Sequence, residues 1–167
     1  MLTGWEDAYY ANVKDDRKFI TGYVVLVLGN PVCWLSKKQL VVSQSTTEAK
    51  YIDMNICMKK LRWITFVFSD FGYGITHPIL YNDNSGAVTI SKHVSLNANT
   101  KHIEMRYQYV RNCVMKKLVM VVQVSTNDMI VDILTKPLGV IKMQEVFRHL
   151  HLKDSGGVLL NEENHLR

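Results

Sequence analysis

The longest periodic segment sets the architecture. Over residues 46–71, apolar side chains recur at Tyr51, Met54, Met58, Leu61 and Phe68, with Ile52, Ile56, Trp63 and Val67 beside them. Spacings of three and four wind into a wide stripe on a helix, and such a stripe has to be buried against another layer. Ser45-Thr46-Thr47-Glu48 supplies a capping hydroxyl and a first-turn acid, and Gly72 and Gly74 end the helix. The partner layer stands just upstream. Residues 22–28 read GYVVLVL, a β-branched strand bounded by the turn signal Gly29-Asn30-Pro31. A return strand over 32–36 makes a hairpin, and residues 3–10 form a first strand that carries Asp7.

Downstream, Ile79-Leu80-Tyr81 is a short strand running into the cap-type residues Asp83-Asn84-Ser85 and a helix over 86–92. A loop over 95–99 leads to a helix over 100–114, and residues 118–124 form a last strand. Ser125-Thr126-Asn127-Asp128 opens a short helix that carries Asp132 and stops at Pro137. A final amphipathic helix places Val140, Met143, Phe147 and Leu150 on one side. The order β-β-β-α-β-α-α-β-α-α implies an α/β sheet with both hairpin and crossover connections. No internal repeat is visible. One domain over residues 1–152 is expected, followed by a mobile polar tail over 153–167.

Composition narrows the class. With 47% hydrophobic residues in 167, the chain can bury a real core as one domain. Its longest apolar runs, residues 23–28 and 118–122, fall far short of the roughly 20 residues that span a bilayer. No signal-peptide pattern opens the chain, so a soluble protein with no membrane partner is expected. Cys33, Cys57 and Cys113 are odd in number and widely separated, which suits a reducing compartment and argues against a disulfide framework. The histidines have no metal-ligand spacing. Between residues 92 and 117, Lys92, Lys101, Arg106, Arg111, Lys116 and Lys117 stand against Glu104 alone, which accounts for the whole net charge of +5. Such a stretch suits a polyanionic partner, nucleic acid being the commonest, or is a solvated lysine-rich helix.

Asp7 belongs to the first strand, Asp83 follows a short strand where a helix begins, and Asp132 sits in the first turns of a helix after another strand. Carboxylates at strand ends can converge on the open edge of an α/β sheet. Converged, they repel unless a cation joins them, and Mg²⁺ prefers oxygen ligands. Two such ions can stabilise the attacking and leaving oxygens of phosphodiester cleavage. Each aspartate taken alone is more often a cap or a surface charge than a ligand.

Five segments, EDAYYANVKDDRKFITGY, WLSKKQLVVSQSTTEAKY, YNDNSGAVTISK, TKHIEMRYQYVR and VSTNDMIVDILTKPL, resemble in order and spacing the ribonuclease H domain of copia-type LTR retrotransposon Pol polyproteins. The resemblance covers residues 4–152. It implies the ribonuclease H-like fold, a five-stranded mixed sheet flanked by helices. It also implies hydrolysis of the RNA strand of RNA–DNA hybrids during reverse transcription, with two Mg²⁺ ions held by three aspartates and a glutamate. Asp7 of EDA, Asp83 of YNDN and Asp132 of VDILTKP match the family's aspartates and would be both catalytic residues and metal ligands. Lys37, Lys38, Lys101, His102 and Arg106 become candidates for phosphate contacts, which position a hybrid without reading its bases. Implied partners are the hybrid and the reverse transcriptase domain of the same polyprotein. The implied location is a cytoplasmic retrotransposon particle or the nucleus.

The chain departs from the family at its fourth acid. Where the family reads Ser-Thr-Thr-Glu-Ala-Glu-Tyr, this chain has Lys50 for the second glutamate. At about 100° per residue, Lys50 shares a face with Asp53, Met54, Cys57 and Leu61, while Glu48 lies on the polar side with Asn55, Lys59 and Arg62. Glu48 is therefore no substitute, and the Lys50 ammonium points toward the aspartates. An ammonium cannot ligate Mg²⁺, and its attraction to three carboxylates could take over the metal's structural role. Tyr9-Tyr10 for a usual Asp-Trp pair, Asn82 for a small residue or cysteine, and Val131 for alanine are milder departures. A decayed copy, lacking the preceding polymerase domain, would explain these changes together. Three readings follow: a working ribonuclease H, a catalytically inactive remnant that keeps the fold and binds nucleic acid through its basic face, and an α/β interaction domain whose aspartates are only caps.

Overall fold

A computed structural model of the chain describes residues 1–10, 18–40, 42–43, 45–75, 77–92 and 101–152, the side chains of 101–104 excepted. The expected loop over 95–99, the Lys101 and His102 side chains and the tail over 153–167 lie outside the described residues.

Strands β1 (Leu2–Tyr10), β2 (Phe19–Val27) and β3 (Asn30–Lys38) form an antiparallel meander. The tight turn between β2 and β3 has Leu28 and Gly29 at positive φ. Helix α1 (Thr46–Asp70) then crosses the sheet, with Ser45 accepting the Glu48 amide as its cap. Strand β4 (Ile79–Asn82) pairs parallel with β1, and β5 (Met120–Gln123) pairs parallel with β4. Helices α2 (Ser85–Lys92) and α3 (Lys101–Met115) connect β4 to β5. The expected single helix around Asp132 is instead two 3₁₀ turns, Thr126–Asp128 and Ile130–Leu134, and α4 (Val140–His149) closes the described chain. The result is the expected five-stranded mixed sheet, in the order β3-β2-β1-β4-β5.

Both faces of this sheet are covered, which is why β2 reads as a continuous apolar run. Leu2, Tyr23 and Val25 pack with Met54, Met58 and Leu61 of α1 and with α2 and α3. Trp5, Val24 and Leu26 pack on the other side with Met129, Ile130, Val131, Val146 and Leu150. Two glycines permit the close approach. A Cβ at Gly4 would meet Cys57 Sγ at 2.8 Å, and one at Gly22 would collide with Thr135 Cγ2. The edge strand β3 alternates between exposed and half-buried positions.

The buried stripe of α1 was legible except at its margins. Trp63 is 58% exposed, and at the far end of the chain Val140 is 64% exposed. Trp63 falls on the outer face of α1, turned away from the buried Leu61, while Phe68 further along still packs against the core. Among the described residues, no helix is long and apolar enough to cross a membrane.

Candidate active site

The strand order reverses between β1 and β4, and ligand crevices of open α/β sheets form at such points. Pairing between these strands stops at Trp5 and Tyr81. Asp7 therefore lies past the paired stretch, open across the end of β4 to the first turns of α1. Asp83 follows β4 directly. It stands between Asn82, whose Oδ1 accepts the Asn84 amide at 2.6 Å, and Asn84, whose Oδ1 accepts the Ala87 amide at 2.8 Å. The second bond caps α2, the first fixes the turn before it, and the Asp83 side chain is left to turn toward Asp7. Asp132 enters from the second 3₁₀ turn, and Thr135 one turn later donates to Asp7 Oδ2 at 2.7 Å. All three expected aspartates meet at one end of the sheet.

Lys50 meets them. It is 8% exposed, and its Nζ donates to Asp7 Oδ1 at 2.9 Å and to Asp83 Oδ1. Burial works against the ammonium, but the charges of Asp7 and Asp83 and its bonds to them outweigh that and raise its pKa. Lys50 is thus a charged internal cation. The expectation of an ammonium shared by three carboxylates needs correction: Asp132 Oδ2 pairs instead with Lys136 at 2.9 Å, an i,i+4 contact. The spacing of Asp132 and Lys136 could have shown that beforehand. Burial raises the Asp132 pKa, Lys136 lowers it, and Asp7 and Asp83 add to the rise, which reflects how near the three carboxylates lie. Glu48 is half-buried beside α3, where its charge acts on Tyr107. It does not reach the aspartates.

Two further acids lie buried beside the cluster, Glu6 and the Asp53 that shares the Lys50 helix face. Glu6 is fully buried on the α1 face, accepting from Asn82 Nδ2. Burial first, then the charge of Asp53, raises its pKa well above the usual carboxylate range. Asn82, noted only as a departure, is thus the partner of Glu6. Asp53, also fully buried, accepts from Thr21 Oγ1 and from Gln39 Nε2 at 2.9 Å. Burial raises its pKa too, against those two bonds. A carboxyl that holds its proton more tightly when folded stabilises the fold below its unfolded pKa, and that contribution is lost as pH rises through the folded value. Asp53→Asn keeps an acceptor for Thr21 and Gln39 and removes the charge. Thermal unfolding from pH 4 to 8 should show wild-type stability falling more steeply with rising pH than that of Asp53→Asn. Parallel profiles would mean that Asp53 is ionised throughout.

The candidate phosphate contacts divide. Lys37 and Lys38 are exposed at the end of β3, and the register Asp7–Gly22–Ser36 puts them at the carboxylate end of the sheet. Arg106 is half-buried on α3, its carbonyl accepting from Asn55 of α1 at 3.2 Å. Tyr9 and Tyr10 flank the site, with Lys136 Nζ 6.0 Å from the Tyr9 ring centroid.

No family model matches the chain. The retrovirus-related Pol polyprotein from transposon RE2 of Arabidopsis thaliana is 35% identical over 163 residues, 95% of this chain and 11% of that protein. The corresponding protein from transposon RE1 of the same plant is 37% identical over 139 residues, 83% of this chain and 10% of that protein. The chain is homologous to the Pol polyproteins of copia-type retrotransposons. It spans about a tenth of the length of these Pol relatives. The ribonuclease H fold follows from solved structures. LC11-RNase H1 from compost aligns over 80% of this chain and 91% of its own with a TM-score of 0.59 and 12% identity. The same enzyme in complex with an RNA/DNA hybrid aligns over 81% and 94% with a TM-score of 0.57 and 11% identity.

The Mg²⁺ ions implied by the ribonuclease H resemblance do not fit the residues present. Lys50 already holds one oxygen each of Asp7 and Asp83, and Thr135 and Thr126 donate to the other two, Thr126 at 3.1 Å. Asp132 is paired with Lys136. Among the described residues, no three His, Cys, Asp or Glu side chains are set to share one ion. What the arrangement does chemically is neutralise itself. Lys50 and Lys136 leave the three aspartates with a single excess negative charge.

Proposed function

We propose that this chain is a ribonuclease H domain of Pol descent that holds RNA–DNA hybrids and no longer hydrolyses them. The observation that carries this reading is the Lys50 ammonium bonded to Asp7 and Asp83. With lysine in place of the family's glutamate, the four positions carry a net charge of two negatives rather than four. A divalent cation entering there would displace an ion pair and face a like charge a few ångströms away. Electrostatics therefore oppose occupancy twice over.

Binding is a separate matter, because it needs cations on the rim rather than a metal within. Lys37 and Lys38 at the sheet end and Arg106 on α3 would meet phosphates of the bound hybrid, with Lys101 and His102 as further candidates. In a polyprotein, the reverse transcriptase would deliver the hybrid, and a cytoplasmic particle would be the place of work.

The test is a blunt RNA–DNA hybrid titrated at several salt concentrations with and without Mg²⁺. Affinity should fall linearly on logarithmic axes. Replacing Lys37 and Lys38 together by alanine should lower that slope by about two, roughly one unit per lost phosphate contact. Products should stay absent with Mg²⁺ present. Multiple-turnover cleavage by the wild-type chain would overturn the hydrolytic half of the proposal, and salt-independent affinity the binding half.

A further inference from the structure

The C-terminal half of α1 carries a second surface that the carboxylate site does not use. From residue 54 to the helix end at residue 70 the sequence has Lys59, Lys60 and Arg62 against Asp70 alone. At about 100° per residue, Lys59, Arg62, Trp63 and Phe66 fall on one face, opposite the buried Cys57, Leu61 and Ile64. The rings are open: Trp63 is 58% and Phe66 57% exposed. Each is attended by a cation. Lys60 Nζ lies 4.8 Å from the Trp63 centroid, and Arg62 Cζ 4.6 Å from that of Phe66. The face continues onto α3, where the Tyr109 ring centroid lies 5.6 Å from Lys59 Nζ.

We propose that this face binds single-stranded nucleic acid. Two exposed rings three residues apart lie about 4.5 Å apart along the helix axis, within reach of neighbouring bases of one strand. Stacking on aromatic rings is indifferent to sequence, and the attendant cations supply the phosphate attraction such platforms need. Charge complementarity selects a polyanion, because an apolar partner would have to bury three cations against the single carboxylate of Asp70 at the helix end. Among polyanions, an acidic protein segment would match the cations and leave the flat rings without stacking partners. Trp63 follows Lys50 by thirteen residues on α1, about 20 Å along the axis. The platform is thus a separate site, on which a single-stranded extension could lie beyond any duplex held at the carboxylate end.

Fluorescence anisotropy of labelled oligo(dT) and oligo(U) with the whole chain tests this, with the blunt hybrid and polyglutamate as comparisons. Trp63→Ala and Phe66→Ala should each weaken single-strand binding roughly tenfold and leave blunt-hybrid affinity unchanged. Lys59→Ala with Lys60→Ala keeps both rings, and should lower the single-strand salt slope by about 1.4. Unchanged single-strand affinity in the ring variants overturns the proposal, as does absence of oligonucleotide binding by the wild type. Polyglutamate displacing the oligonucleotides at equal charge concentration overturns it in favour of an acidic protein partner. A ring variant that weakens hybrid and single strand equally means one shared surface, and also overturns it.

Discussion

Lys50→Met should lower the thermal unfolding midpoint by roughly 10 °C at neutral pH in the absence of divalent cations. Methionine matches the length and packing of lysine and removes only the charge, leaving Asp7 and Asp83 buried against each other. Breaking a buried pair by removing one partner costs about 3–5 kcal/mol, and a domain of this size loses about 2–4 °C per kcal/mol. Lys50→Glu should be worse still, four acids converging without a counter-charge. It should also differ in kind: added Mg²⁺ restores its midpoint, since a ligand that binds only the folded state stabilises it by mass action. Wild type should show no Mg²⁺ response. The raised Lys50 pKa keeps its contribution intact below the unfolded lysine value of about 10.4 and removes it as pH climbs through the higher folded value. The wild-type and Lys50→Met curves should therefore stay apart at neutral pH and converge in strong alkali. A Mg²⁺-dependent rise in the wild-type midpoint would show that the ammonium yields its place, and the proposed loss of hydrolysis would fall with it.

Lys50 was legible because a helical wheel needs only spacing. The face shared with Asp53, Met54, Cys57 and Leu61 could be drawn from the sequence, and all five are buried. Asp83 was legible because cap residues follow its strand, and Asp7, inside its strand, because the segment that carries it resembles the family's first motif. The inward bonding of Glu6 and Asp53 was not, and the reason is physical. An acid within an apolar strand or stripe carries no local sign of whether it bonds inward or reaches for water. Only the third dimension supplies Asn82 for the one, and Thr21 with Gln39 for the other. The two 3₁₀ turns were read as one helix because Ser125-Thr126-Asn127-Asp128 has the chemistry of a helix start. Ser125 does accept the Asn127 amide, at 3.2 Å, yet the turn it caps stops after three residues. Trp63 lies in solvent because it stands on the face opposite Leu61, beside the stripe rather than on it.

Gly22→Ala should destabilise the chain by about 1–3 kcal/mol, the usual range for overpacking, and the same change should loosen the carboxylate cluster. A Cβ there would collide with Thr135 Cγ2 and press on Leu134 Cβ at 3.3 Å. Thr135 cannot simply rotate away, because its Oγ1 donates to Asp7 Oδ2 at 2.7 Å and lies 3.3 Å from the Asp132 carbonyl. The methyl and the hydroxyl are fixed to one carbon, so relieving the clash breaks the bond that orients Asp7. Thr135→Ser separates the two roles, removing the methyl and keeping the donor. In a double-mutant cycle, Gly22→Ala with Thr135→Ser should recover most of the loss, a coupling on the order of 1 kcal/mol between residues in contact. The residual deficit belongs to Leu134. Additive effects would instead place the strain in the backbone between β2 and the second 3₁₀ turn. Recovery would show that the glycine of GYVVLVL is there to let Thr135 reach Asp7, a structural requirement of the site that outlasts whatever chemistry Lys50 permits.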